Sequence, residues 1–342
     1  MYGNTLDFKT FNGKTINRTD FVLPKASAEV PFDSDERRDI PFPKPYGVAP
    51  EVLAWNENHG NVYGYHHAKK DENRKEMNYY LHGDGEHLYD THDIVIDPYA
   101  EASYTFYYKS HGEEEKFRST ILRVHAGEGS KLTLVLIADE DEKTEALQSI
   151  GVILGKNADV KIHPFTLSDG KTMDNLKVYL DGEGANFDLR GMYFGHASSD
   201  YDFLYHIKHG AKKTTSDIKI DGALRDRAEK TMKSTLDFLE GSPESVGDES
   251  EIVTLLSDDV KNISIPALLA HEDNVVGNHA ASAGKLDQSL IFYIKSRGYD
   301  DDEATELLLG SRFAHAIDCI PDEDIRKNVY ERIRAITRGN AC

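Results

Sequence analysis

The residue best placed to do chemistry is His279, in the run Glu272-Asp273-Asn274-Val275-Val276-Gly277-Asn278-His279-Ala280-Ala281-Ser282-Ala283-Gly284. An imidazole exchanges protons near neutral pH and ligates metals through a ring nitrogen, and small neighbours leave this one accessible. A lone histidine is more often an ordinary polar residue, so type alone does not make a metal site. Other candidates are weaker. His315 and Cys319 would share a helix face, but two ligands are too few for a metal, and the spacing reads as a half-buried helix pair. His206 and His209, an odd separation apart in a strand pattern, point to opposite faces. His59, His66, His67, His82, His87 and His92 show no metal spacing and read as surface or turn composition. Phosphate-loop, dinucleotide and Gly-x-Ser-x-Gly motifs are missing.

The elements that must position His279 change character around it. The Gly- and Ala-rich run is a poor packed helix, whereas Leu286, Leu290 and Ile294 recur at helical spacing and Gly298 supplies a stop. A strand edge therefore hands over to a helix. Residues 1–103, with Pro41, Pro43, Pro45 and Pro50, read as an irregular N-terminal segment in which long helices are disfavoured. Residues 104–284 alternate with period two in Leu122-Arg123-Val124, Leu132-Thr133-Leu134, Val160-Lys161-Ile162, Leu176-Lys177-Val178, Phe187-Asp188-Leu189 and Ile218-Lys219-Ile220. These are strands with one buried face, separated by turns such as Gly182-Glu183-Gly184. An echo between Asn157–Ile162 and Gly184–Leu189 is spaced like one solenoid coil, although a sandwich satisfies the same alternation. Residues 285–342 read as a small helical subdomain. Asp300 and Glu303 form a capping box ahead of Ala304, Leu307, Leu308 and Phe313. Ile325, Val329, Ile333 and Ile336 make one apolar stripe after Pro321 and Asp322, best read as intramolecular core.

The 342 residues suffice for a sizeable core, and a formal net charge of −20 opposes binding to nucleic acid or anionic lipid. Acidic clusters such as Asp300 to Glu303 read as solvated loops or helix starts. With only Cys319 and Cys342, no disulfide framework is expected. Neither a leader nor a membrane span is recognisable, so a reducing cytoplasm is the expected location.

The His279 run, followed by Phe292-Tyr293 and Ser296-Arg297-Gly298, resembles the C-terminal signature of the SufB/SufD family, scaffolds of the SUF iron-sulfur cluster assembly system. Upstream, Leu255-Leu256-Ser257 and Pro266 fit the same pattern. So do His209, Thr214, Ser216, Gly222, Leu224, Asp226 and Ala228, and the resemblance covers roughly the last 140 residues. It implies a mainly β fold: a right-handed parallel β-helix with an irregular N-terminal cap and a small C-terminal helical subdomain. It also implies a non-catalytic, SufD-like subunit that pairs with a SufB-like scaffold and binds the SufC ATPase through helices carrying Phe292, Tyr293 and Arg297. A transient iron or iron-sulfur cluster is then expected at a subunit interface, with His279 as the metal residue and flavin binding left open. Two departures matter. Ala280 stands where SufB-type members carry glutamate, and Gly277 where SufD-type members often carry cysteine. No thiol precedes Cys319, so a cysteine-ligated cluster requires a partner. The alternatives are a β-solenoid acting on carbohydrate and a purely structural ATPase adaptor.

Overall fold

The computed structural model describes residues 1–6, 8, 18–24, 35–38 and 40–339. The period-two segments form two eight-stranded parallel sheets, and successive strands along the chain alternate between them. Each coil thus adds one strand to each sheet, a β-solenoid. The echo in the sequence is the coil repeat itself: Val160 pairs with Phe187 and Ile162 with Leu189 on adjacent coils. The turns preceding these strands place Asn157 and Gly184 at φ of 53° and 71°, a left-handed conformation that recurs from coil to coil.

Inward positions interlock in one long core. Leu122, Val124, Leu134, Ile162, Val178, Leu189 and Ile218 are all buried in it. Burying such aliphatic side chains contributes on the order of 1.5–3 kcal/mol each, which is what drives the coils to stack.

Regular coils begin at the strand Val62–Ala68, inside the segment expected to be irregular. A helix, α1 (Pro50–His59), precedes it, with proline in its first turn. Val48, Ala49 and Val52 pack on the outer face of one sheet against Tyr89, Phe117, Leu147 and Met173. The early coils escape period-two reading because polar side chains share their interior with Ile94, Tyr104 and Phe106. His66, His82 and His92 are buried, which corrects their reading as surface or turn residues. His92 Nε2 lies 3.0 Å from Asp90 Oδ2, which also accepts from the Tyr108 hydroxyl at 2.7 Å, while Thr120 donates to Oδ1 at 2.6 Å. A buried carboxylate is tolerable only with such a full set of partners.

Helices α2 (Gln288–Lys295), α3 (Asp301–Ile317) and α4 (Glu323–Thr337) follow the last strand. The capping box at Asp300 and Glu303 forms, and Asp322 caps α4 through the Ile325 amide. Ile325, Val329, Ile333 and Ile336 are buried with Phe313 against Val135, Ile137, Phe165 and Phe194 on the outer face of the second sheet. The α4 stripe is therefore intramolecular core. On α3, Ala304, Leu309 and Phe313 are buried, whereas Leu307 is exposed. Among the described residues no helix is long and apolar enough to cross a membrane.

Candidate functional site

His279 stands on the strand Val275–Gly284, the terminal strand of its sheet. The preceding coil supplies Ser245–Leu255, paired in parallel so that Glu249 lies beside His279, Glu251 beside Ala281 and Val253 beside Ala283. Along Ser245–Leu255 the buried residues are Ser245, Gly247, Glu249, Glu251, Val253 and Thr254. Side chains alternate across a strand, so Glu249 and Glu251 point into the solenoid, and His279 continues the Glu249 column outward. His279 is exposed because the described chain adds no further coil above it. It sits at the open mouth of the solenoid, not on its flank.

The floor of this mouth is charged. Glu251 accepts from the Lys230 ammonium at 2.5 Å and from the Tyr193 hydroxyl at 2.8 Å. Lys230 also donates to Ser264 at 3.0 Å, and burial lowers its pKa. Glu249 is left differently: its Oε2 is buried with no hydrogen-bond partner. Burial pushes the Glu249 carboxyl up to about 7, with the Ser234 hydroxyl opposing and Glu251 adding to the rise. Sequence reading missed Glu249, Glu251 and Lys230. The available signal was the coil length, which brings residue 249 next to 279.

The rim is unpaired. Leu268 is exposed at the mouth, Val276 and Ile252 stand exposed on the outer flank, on the opposite parity from Gly277 and Glu251, and the outermost strands of both sheets present free edges. Gly277 has a local reason: a Cβ there would lie 2.3 Å from Leu268 Cδ1 and 2.9 Å from Phe238. The Leu268 side chain fills the space that a larger residue at this position would need.

Other sequence candidates fall elsewhere. His209 is buried, with Nδ1 2.7 Å from Thr214 Oγ1 and Nε2 3.0 Å from Ser216 Oγ, and its ring stacks on Phe238. Burial lowers its pKa to about 4. The His209, Thr214 and Ser216 pattern thus builds an internal corner. Gly222 admits the Tyr193 ring, Asp226 takes a left-handed turn at φ 57°, and Ala228 is fully buried. His206 faces the other way, as its spacing requires, onto Asp237 at 3.1 Å. Cys319 meets the backbone carbonyl of His315, not its ring. Among the described residues no group of three or more His, Cys, Asp or Glu could hold a metal, and Cys342 lies outside them.

Phe292 and Tyr293 on α2 are 74% and 53% exposed. Arg297 donates to the Tyr293 hydroxyl at 2.8 Å, with its guanidinium 5.0 Å from the ring centroid. No residue of α2 is buried, so the helix offers an aromatic surface at the edge of the helical layer.

The family model for the SUF system FeS cluster assembly, SufBD core domain, matches residues 79–311. The chain is 25% identical over 183 residues to the iron-sulfur cluster assembly protein SufD of Bacillus subtilis, covering 54% of this chain and 42% of that protein. It is 26% identical over 212 residues to a SufBD family protein of Mycobacterium leprae, covering 60% and 54%. It is 19% identical over 250 residues to SufD of Escherichia coli, covering 73% and 59%. The chain spans about half the length of the curated relatives it matches.

Proposed function

Because this chain belongs to the SufBD family of SUF-system iron-sulfur cluster assembly proteins, we propose that it is a SufD-type, non-catalytic scaffold subunit. In this reading it pairs with a SufB-like scaffold through the open end of its solenoid and recruits a SufC-like ATPase through α2. Iron or a nascent cluster is the cargo.

The observation that carries the reading is His279, on the inward face of a terminal strand that no other described strand covers. A solenoid end without a cap leaves backbone donors and acceptors that a second strand can satisfy, and the exposed Leu268 side chain adds burial on contact. A second solenoid meeting this end would enclose His279 at the junction. The donor chemistry agrees with a shared site. Imidazole suits iron, but cluster ligation needs thiolates, and no cysteine precedes Cys319. The cysteines must come from the partner.

The exposed Phe292 and Tyr293 support an ATPase-docking role for α2, because aromatic anchors dominate interface energetics. Nucleotide-driven association of two ATPase copies would then shift the scaffolds and open the junction. The proposed location is the cytoplasm.

The test is co-expression with a SufB-like scaffold and a SufC-like ATPase, followed by anaerobic reconstitution. His279→Ala should leave subunit recovery intact while cluster loading, read by visible absorbance, is lost. Unchanged loading removes His279 from the mechanism.

A further inference from the structure

We infer that this chain contributes two donors to the cargo site, Glu249 together with His279, forming a half-site for a divalent transition-metal ion of the ferrous class. The inference rests on the scaffold reading above and deepens it.

Three observations converge. Glu249 and His279 are register partners on adjacent parallel strands, where neighbouring backbones run about 4.8 Å apart. Both lie on the inward column, so an ion above Glu249 meets the imidazole as the next group toward solvent. Glu249 itself is only 6% exposed, and its Oε2 has no hydrogen-bond partner. A buried carboxylate oxygen in that state is costly, and although Asp174 and Asp237 each hold one as well, Glu249 is the one whose strand neighbour at the open mouth is an imidazole.

Charge balance selects a cation. Two carboxylates, Glu249 and Glu251, line the floor with a single ammonium, Lys230, which is committed to Glu251 and Ser264. The Tyr193 hydroxyl is committed to Glu251 as well. Glu249 therefore remains the one carboxylate of the floor without a cationic partner among the described residues. A carboxylate with an imidazole is a donor pair suited to ferrous iron, and it leaves the remaining coordination positions for water or a second chain's thiolates.

Co²⁺ titration of the full chain under anaerobic conditions, read by visible d–d absorption, tests this directly. With water completing the coordination, the wild-type chain should bind one equivalent weakly, and Glu249→Gln and His279→Ala should each weaken binding further, at least tenfold. Circular dichroism and urea midpoints identify any variant that fails to fold, and Glu249→Asp, which keeps the charge, should restore part of the affinity. Wild-type binding that Glu249→Gln leaves unchanged, or no binding by the wild-type chain, overturns the inference. The scaffold reading fails separately: if His279→Ala leaves cluster loading of the co-expressed complex intact, it falls whatever the Co²⁺ titration gives.

Discussion

Arg332 of α4 forms an ion pair with Asp139 at 2.8 Å, tying the last helix to a strand in the middle of the solenoid. The same guanidinium reaches Asp169 and the Leu167 carbonyl, while Tyr107 donates to the other Asp139 oxygen at 3.0 Å. Burial raises the Asp139 carboxyl despite the Arg332 charge beside it. One side chain thus holds two carboxylates that would otherwise repel each other under the helix.

Replacing Arg332 with Met should destabilise the chain by about 2 kcal/mol, because in a largely desolvated setting it leaves Asp139 with only the half-exposed Lys109 ammonium at 3.5 Å and Asp169 with only the His196 ring. Urea denaturation measures this. Cluster loading per folded molecule should not change, since the residue is remote from the mouth. An unaltered midpoint would show that the latch contributes nothing net.

Two glycines should respond with opposite signs. A Cβ at Gly222 would come within 2.0 Å of Tyr193 Cζ, and Tyr193 is fixed by Glu251, so Gly222→Ala should cost about 1–3 kcal/mol. Gly310 lies inside α3 with nothing within 4 Å of the point where a Cβ would stand, and Gly310→Ala should gain up to about 1 kcal/mol from helix propensity. Equal midpoints for the two variants would contradict the packing argument.

Stability should fall on acidification through the histidines. Burial lowers His163 and His209 to about 4 from an ordinary 6.5. For a depressed histidine the unfolded chain takes up the proton first. Its contribution is intact above pH 6.5 and is lost as pH falls toward 4, by at most about 3 kcal/mol for each ring. Asp174, raised by burial to about 6, works in the opposite direction, because protonation below that pH relieves its buried charge. His163→Gln should therefore flatten the stability profile between pH 6.5 and 4 in urea titrations at stepped pH. A profile as steep as wild type would assign the acid loss to other groups.

Phe292→Ser combined with Tyr293→Ser should move the urea midpoint by less than about 0.5 kcal/mol, since neither ring is buried. The same variant should lose the ATPase in affinity co-purification while retaining the scaffold partner. Full ATPase recovery would remove α2 from that interface.

Much of the architecture was legible because Leu122, Val124, Ile162 and Leu189 advertise period two, and Asp300 with Glu303 advertise a helix start. The first coils were not, because Glu76, Asp90, His92 and Arg118 set polar groups among the core side chains and break the apolar alternation that a strand reading depends on. His279 and its handover from strand to helix were readable from local composition. Its neighbour Glu249 was not: in Asp248-Glu249-Ser250-Glu251 every residue is polar, so neither face looks buried. Only the parallel register between coils identifies which of them turn inward. The His209, Thr214 and Ser216 pattern, which in the sequence carried only the family resemblance, is an internal corner in the fold whose hydroxyls meet both ring nitrogens.

The bare rim around His279 also governs behaviour in the test tube. Strand-seeking backbone accepts any extended segment of suitable hydrophobicity, and when the chain is produced by itself the most abundant candidate is another copy of it. Self-association should then rise with concentration and recede when a cognate solenoid is supplied. Stoichiometric supply of that counterpart would guard against wasteful homotypic stacking.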